Sequence, residues 1–206
     1  MLKSKKDNPA IPGKVCILYG MLKGYVKNPC KTIYLAKKKA HKIKKKLGVE
    51  YPPDFLEMIS LIAGLYDVIR EKPDDRIALS LVTALILPVG LATQMSNFRF
   101  VEDKRSFDNL IAYQQKTNRE GPTRLNRIEV LEQNKRRYAF KVHNCQFHDA
   151  FTKLGVPELT RVICTIDNAI FNSYMPEEVV FHRNGIGKRI ADGASYCDFI
   201  CEHREC

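Results

Sequence analysis

Hydrophobic residues along this chain fall first at helical spacing and only beyond residue 137 at the two-residue spacing of strands. Over 32–47, Ala36, Ala40, Ile43 and Leu47 recur every three or four residues while Lys37–Lys39 and Lys44–Lys46 fill the opposite side. That predicts an amphipathic helix stopped by Gly48. Pro52-Pro53-Asp54 opens the next segment. Asp54 and Glu57 have the spacing of a capping box, and Phe55, Met58, Ile59, Ile62, Leu65, Tyr66 and Ile69 carry a helix to a break at Pro73. A third helix begins near Asp74 or Asp75 and holds the apolar run 77–95, IALSLVTALILPVGLATQM. Ser80, Thr83, Pro88, Gly90, Thr93 and Gln94 interrupt that run and no aromatic or basic anchors frame it. It reads as a buried core helix, broken or kinked near Pro88, rather than a membrane span.

From Phe100 to about Glu132 the pattern weakens and turns polar, giving a connector with a helix around 107–116 and Gly121-Pro122 as its clearest punctuation. The period then changes. Tyr138, Phe140 and Val142 alternate with Arg137, Ala139, Lys141 and His143, the mark of a half-buried strand. Asn144 is placed to cap a short helix running to Leu154 and ended by Gly155. Pro157 opens a second helix that turns Leu159, Val162, Ile163, Ile166 and Ile170 inward. Val179, Phe181 and Arg183 alternate with Val180 and His182 in one closing strand; beyond the 185–193 turn, Cys197, Phe199 and Cys201 alternate with Asp198 and Ile200 in another. The order strand, helix, helix, strand, strand predicts an α+β fold: an N-terminal helical layer packed with a C-terminal antiparallel sheet carrying two helices. The chain divides into a basic N-terminal segment (1–50), a helical region and connector (51–132) and a cysteine-containing α+β region (133–206).

With 206 residues, 45% of them hydrophobic and 28% charged, the chain suits a soluble globular protein with one full-sized core. Its formal charge of +11 is local, because residues 1–50 hold fourteen lysines against Asp7 and Glu50. Such a stretch meets nucleic acid, an anionic membrane or an acidic partner, or serves as a solvated helix face, the commonest case. With few aromatics between the lysines and no recognised motif, a nucleic-acid partner is not expected, and neither is a membrane; homo-oligomerisation is left open. There are seven cysteines, an odd number, and the opening MLKSKKDNPAIPG lacks the apolar centre of a signal peptide. A reducing cytoplasm and free thiols are therefore expected. No CxxC pair occurs, and Cys197, Cys201 and Cys206 give only a weak zinc spacing, so no metal site is assigned. Gly185, Gly187 and Gly193 surround a turn without the strand-to-helix setting of a phosphate loop, and no cofactor is expected.

Three cysteines sit in polar clusters: HNCQFHDAF, CTIDNAIF and DGASYCDF. Cys145 falls at the first helical position behind Asn144, where free backbone amides and the helix dipole favour a thiolate nucleophile. His148, three residues on, shares that face as a candidate general base; a half-buried thiol beside a surface histidine is the plain alternative. Cys164, Asp167 and Asn168 put a thiol, a carboxylate and an amide on one face of an otherwise apolar helix. Arg183 is the natural partner for Asp167, either as a structural ion pair or as a fork that also binds a substrate carboxylate. Cys197 and Asp198 leave the last strand on opposite faces, so at most one joins the same site. If Cys197 faces the helices, three thiols and Asp167 converge, as a tetrahedral metal site would also require.

Taken together, NCQFHDAFTKLGVPELTRVICTIDNAIF, FHR and DGASYCDF resemble, in order and spacing over about 137–201, the L-2-amino-thiazoline-4-carboxylic acid hydrolase family. The shared pattern is a strand leading to a cysteine-bearing helix, Gly-x-Pro-Glu-Leu, Cys-x-x-Asp, an arginine strand and a closing Gly-(x)3-Cys-Asp-Phe. NGIGKRIADGA after Arg183 departs from it. The resemblance implies cysteine-dependent hydrolysis of a cyclic amidine at a non-peptide C–N bond, opening a thiazoline ring on the way to L-cysteine. It gathers Cys145, Cys164, Asp167, Arg183, Cys197 and Asp198 around one small-molecule site. The same element order also looks like the 4-vinyl reductase-type domains, in which the cysteines would bind a metal or line a ligand cavity.

Overall fold

The computed structural model describes residues 13–48, 50–71, 75–99, 105–184 and 188–204; Asp7, Pro73, Asp74, Gly185, Gly187 and Cys206, singled out in the sequence, lie outside them. The basic segment forms two helices, α1 (Lys14–Leu22) and α2 (Pro29–Leu47). The second starts three residues before the hydrophobic period becomes visible. Asn28 caps it by accepting from the Lys31 amide at 3.0 Å, and Pro29 sits in the first turn, where its missing N–H does no harm. Its buried Ala36, Ala40 and Leu47 face α3 (Pro53–Ile69). Gly64 makes that approach possible: a Cβ there would lie 2.5 Å from the Ala36 carbonyl oxygen.

The expected capping box does not form. Pro52 holds the cap position without a side-chain bond, while Asp54 pairs with Arg124 at 2.8 Å and Glu57 with Lys44. Arg124 keeps the Asp54 carboxyl below its ordinary range. Helix α4 (Asp75–Arg99) continues through Pro88, so of the expected break or kink the break does not occur. Its stretch Arg76–Gln94 is long and apolar enough to cross a bilayer, with mean hydropathy 1.9, yet Ala78, Val82, Leu85 and Ile86 are buried in the protein core.

Helix α5 (Phe107–Glu120) outlasts its expected end by one turn, capped by Ser106 and stopped at Gly121. Then follows a strand that the sequence pattern hid, β1 (Arg127–Gln133). It is the outer strand of a fully antiparallel sheet of order β1-β2-β4-β3, with β2 (Arg137–Asn144), β3 (Val179–His182) and β4 (Cys197–His203). Most of β1 is exposed, two register shifts interrupt it, and Arg127, Glu129 and Glu132 dilute its apolar alternation. Edge strands tolerate such charges, which discourage pairing with other chains.

Between β2 and β3 lie α6 (Gln146–Lys153), a 3₁₀ turn at Pro157–Leu159 and α7 (Thr160–Tyr174). Gly155, at φ 77°, makes the left-handed turn that separates them. The architecture is the expected α+β, with one exchange of parts. Phe147, Ala150 and Phe151 of α6 join the core of the helical layer, and α5 accompanies α7 on the sheet. Tyr138, Phe140, Val142, Val179, Phe181, Cys197, Phe199 and Cys201 form the inner face of the sheet, with Phe140 and Phe199 stacked at 4.9 Å. Helix α7 belongs to both cores: Val162 and Ile166 pack into the helical layer, Ile170, Phe171 and Tyr174 onto the sheet. Each such burial contributes about 1.5–3 kcal/mol, which pins the segment between the two halves.

Candidate active site

That seam holds the polar residues of α7. Cys164 is buried, and Asp167 and Asn168 are half-buried, one turn along. Arg183 lies one residue beyond β3 and is 7% exposed. Its Nε donates to Asn168 Oδ1 at 3.0 Å, its Nη2 donates to Asp167 Oδ2 at 3.3 Å, and its plane lies 3.9 Å over the Phe199 ring. The Asp167–Arg183 ion pair is thus present. Nη1 makes no hydrogen bond among the described residues, which leaves one donor of the fork for a ligand.

Burial dominates the electrostatics of the pair. Removal from water pushes the Asp167 carboxyl up to about 6 although the guanidinium pulls it down. A quarter of its side chain remains exposed, so a proton can still exchange. An acid that titrates near neutrality inside a thiol cluster is suited to carrying protons.

Cys145 occupies the N-cap of α6 (φ −112°, ψ 111°) rather than its first helical position, so the expected Asn144 cap does not form. Asn144 instead accepts from the Arg127 amide and helps tie β1 to β2. The amides of His148 and Phe147 lie close enough to the Cys145 sulfur to favour its anion, although the side chain makes no cap hydrogen bond. Those amides favour a thiolate, as the helix start led us to expect, but desolvation of the half-buried side chain outweighs them and pushes the thiol up to about 11. Burial likewise pushes Cys164 up to about 12, against the pull of Arg183, and raises Cys197, whose sulfur accepts from the Ile190 amide at 3.1 Å.

The charges acting on these groups define the cluster. Cys145 feels Cys197 and Asp167; Cys164 feels Arg183, Asp167, Cys145 and Arg189; Cys197 feels Arg183, Asp167 and Arg189. Cys145, Cys164, Cys197 and Asp167 thus lie within electrostatic reach of one another, with Asp167 and Asn168 bonded to Arg183. The structure leaves two candidates apart. The His148 ring meets Thr160 Oγ1 at 3.3 Å and reaches Cys145 only through its main-chain amide. Asp198, on the opposite face of β4 from Cys197, accepts from Asn184 Nδ2 at 3.3 Å and fixes the turn after β3. Among the described residues no three His, Cys, Asp or Glu side chains are grouped closely enough to hold a metal ion.

Arg189 is a member the sequence reading missed. It precedes a 3₁₀ turn (Ile190–Asp192), and its Nε and Nη2 donate to Asp192 at 2.5 and 3.1 Å; Arg161 reaches the same carboxylate at 3.2 Å. These pairs fasten the turn over Cys197 through the Ile190 amide. The one available signal was an Arg and an Asp three apart within GKRIADG, a stretch read only as a glycine-rich turn. Two surface grooves, one of about 630 Å³ beside Arg136 and one of about 490 Å³ between α1 and α2, are lined by none of the clustered residues.

Among known proteins, no curated sequence matches this chain. Two solved structures of an Fe(II) unliganded H-NOX protein from K. algicida overlap it. One is 10% identical over 94% of this chain and 96% of its own, with TM-score 0.39. The other, a mutant form, is 13% identical over 93% and 95%, with TM-score 0.35. At those scores the likeness assigns nothing to this chain. The sequence profile of L-2-amino-thiazoline-4-carboxylic acid hydrolase, in contrast, matches residues 55–201, which hold the sheet and every clustered side chain. The chain belongs to the L-2-amino-thiazoline-4-carboxylic acid hydrolase family.

Proposed function

We propose that the protein is a cysteine-dependent hydrolase that opens a cyclic amidine of the 2-aminothiazoline-4-carboxylate type, with Cys145 as nucleophile. The observation that carries this reading is the grouping of two buried thiols and the half-buried Cys145 around one carboxyl of pKa about 6 and one guanidinium with a donor to spare. A carboxylate on the substrate meets Arg183 through Nη1, and the amidine is thereby turned toward the thiols. The Cys145 sulfur forms a bond to the amidine carbon as its proton passes to Asp167, and the C=N electron pair moves to the ring nitrogen, which Asp167 then protonates. The exocyclic nitrogen then re-forms a C=N bond, the ring C–S bond breaks, and the proton lost from that nitrogen passes through Asp167 to the leaving thiolate. Water then displaces the Cys145 sulfur, which regains its proton, leaving an N-carbamoyl cysteine, and a second water cleaves its C–N bond to give L-cysteine, ammonia and carbon dioxide. His148, bonded to Thr160, is not needed for the first proton transfer.

Incubation with 2-aminothiazoline-4-carboxylate, followed by titration of released small-molecule thiol, tests the reading. Cys145→Ala is expected to release none while keeping its circular dichroism spectrum. A fully active Cys145→Ala removes the nucleophile assignment, and no turnover of any cyclic amidine by the wild type removes the reaction.

A further inference from the structure

The family profile begins at residue 55, so α1 and α2 fall outside it. Residues 13–48 contain eleven lysines, no arginine and no carboxylate. On α2, Lys31, Tyr34, Lys38, Lys42 and Lys45 follow one another at steps of three or four and are all exposed, so they form one face about 20 Å long. None of these four lysines pairs with a carboxylate among the described residues; the acids near α2 are taken by Lys39 and Lys44 on another side. Solvated charge alone explains such a face on many helices. Here it borders uncovered apolar surface.

The groove between α1 and α2, about 490 Å³, is walled by Val15, Tyr19, Ile33 and Tyr34. Val15 is 53% exposed and Tyr34 65%; Tyr25, in the connection between the helices, is 54% exposed. Lys23 lies over the Tyr19 ring at 4.9 Å. Aliphatic and tyrosine side chains ringed by extended ammonium groups, without one carboxylate to repel phosphate, match the boundary between anionic headgroups and acyl chains. The exposed apolar side chains, rather than the charge, favour a bilayer over nucleic acid, since lysines meet the phosphates of either. Helix α1 also packs on α4, whose Ile77 is exposed as well.

We infer that α1 and α2 form a peripheral docking face for an anionic lipid bilayer, with Val15 and Tyr34 entering the acyl boundary and the α2 lysines meeting the headgroups. Contact is from one side, and no helix crosses the bilayer. It is independent of the chemistry proposed for the thiol cluster.

Co-sedimentation of the full chain with vesicles of phosphatidylcholine alone, or with about a third phosphatidylglycerol, tests this. Binding is expected to the second and not the first. Each lysine at an anionic surface is worth about five-fold in partitioning, so replacing Lys31, Lys38 and Lys42 together by Gln lowers binding roughly 100-fold. Val15→Ser with Tyr34→Ser, both at exposed positions, lowers it further at a salt concentration that already screens the lysines. Circular dichroism checks that each variant folds. Failure to bind anionic vesicles at low salt overturns the inference. So does binding that ignores the Val15 and Tyr34 changes, or that is abolished by equimolar single-stranded DNA, since either outcome reduces the face to a charge patch.

Discussion

Replacing Asp167 by Asn separates two accounts of the buried pair. If attraction to Arg183 governed, the carboxylate would stabilise the fold and its loss would leave a buried guanidinium unpaired, at about 3–5 kcal/mol. The geometry argues the other way. Desolvation lifts the carboxyl from 3.8 to about 6, so the native state holds this proton more tightly than the unfolded chain does. Between those values the unfolded state binds fewer protons, and stability therefore falls as pH rises from about 4 to about 6 and levels off above. A rise from 3.8 to about 6 amounts to about 3 kcal/mol at pH 7. Asp167→Asn keeps an oxygen for Arg183 Nη2 and carries no charge, so it is expected to be as stable as wild type near pH 4 and more stable by up to about 3 kcal/mol at pH 7. Urea unfolding followed by far-ultraviolet circular dichroism from pH 4 to 7.5, with the variant subtracted from the wild type, isolates this residue from every other titrating group. The same variant should release no thiol from the thiazoline. An Asp167→Asn protein that is less stable than wild type at pH 7, by a margin that grows with pH, would refute the reasoning and make Asp167 a structural partner of Arg183 only.

Three further outcomes follow from the packing and the thiols. Gly64→Ala should destabilise by about 1–3 kcal/mol in thermal or urea unfolding, because the added carbon meets the Ala36 backbone rather than a movable side chain; a change below about 0.5 kcal/mol would mean α2 shifts freely. Cys145→Ser should be more stable than Cys145→Ala by about 1 kcal/mol, because a hydroxyl at this N-cap supplies the side-chain bond that the sulfur does not make, with both inactive; equal stabilities would show that no cap bond forms there. Iodoacetamide at pH 7.5 should label the exposed Cys16 and Cys30 well before Cys145, Cys164 and Cys197, as read by mass spectrometry of peptides, and early labelling of Cys145 in the resting protein would contradict its raised pKa.

Much of the fold was legible because its periods are clean. The 3.6-residue recurrence in α2, α3 and α7 and the alternation of β2 and β4 each have a buried face that keeps one hydrophobic position in step with the next. Where that constraint lapses, so does the signal. Strand β1 is an edge with charges on both faces, and α1 is too short to show its period. The Asp54 capping box failed for a different reason: Arg124, seventy residues away, offers the carboxylate a charged partner that a local backbone amide cannot match. Spacing correctly joined Cys164, Asp167 and Asn168, which share one helix face, and alternation separated Cys197 from Asp198. It could not place Arg189, because long-range pairing with Asp192 and Arg161 and a main-chain bond to Cys197, not periodicity, bring it there.

The sign of the Cys145 shift is the point on which sequence and structure part most usefully. A helix N-terminus by itself predicts a thiolate, and two nearby amides do favour one, yet the half-buried thiol is raised to about 11 because desolvation, with the charges of Cys197 and Asp167, outweighs them. In the proposed reaction such a site rests protonated and inert. A cyclic amidine brings its own positive charge into the same low-dielectric space, where it favours both the thiolate of Cys145 and the anionic form of Asp167. Deprotonation and substrate binding are then coupled, and a neutral ring of the same shape gains neither effect. On this reasoning the seam between the two cores selects for charge as well as shape, and the burial that keeps the resting thiol quiet is what gives a bound cation its leverage.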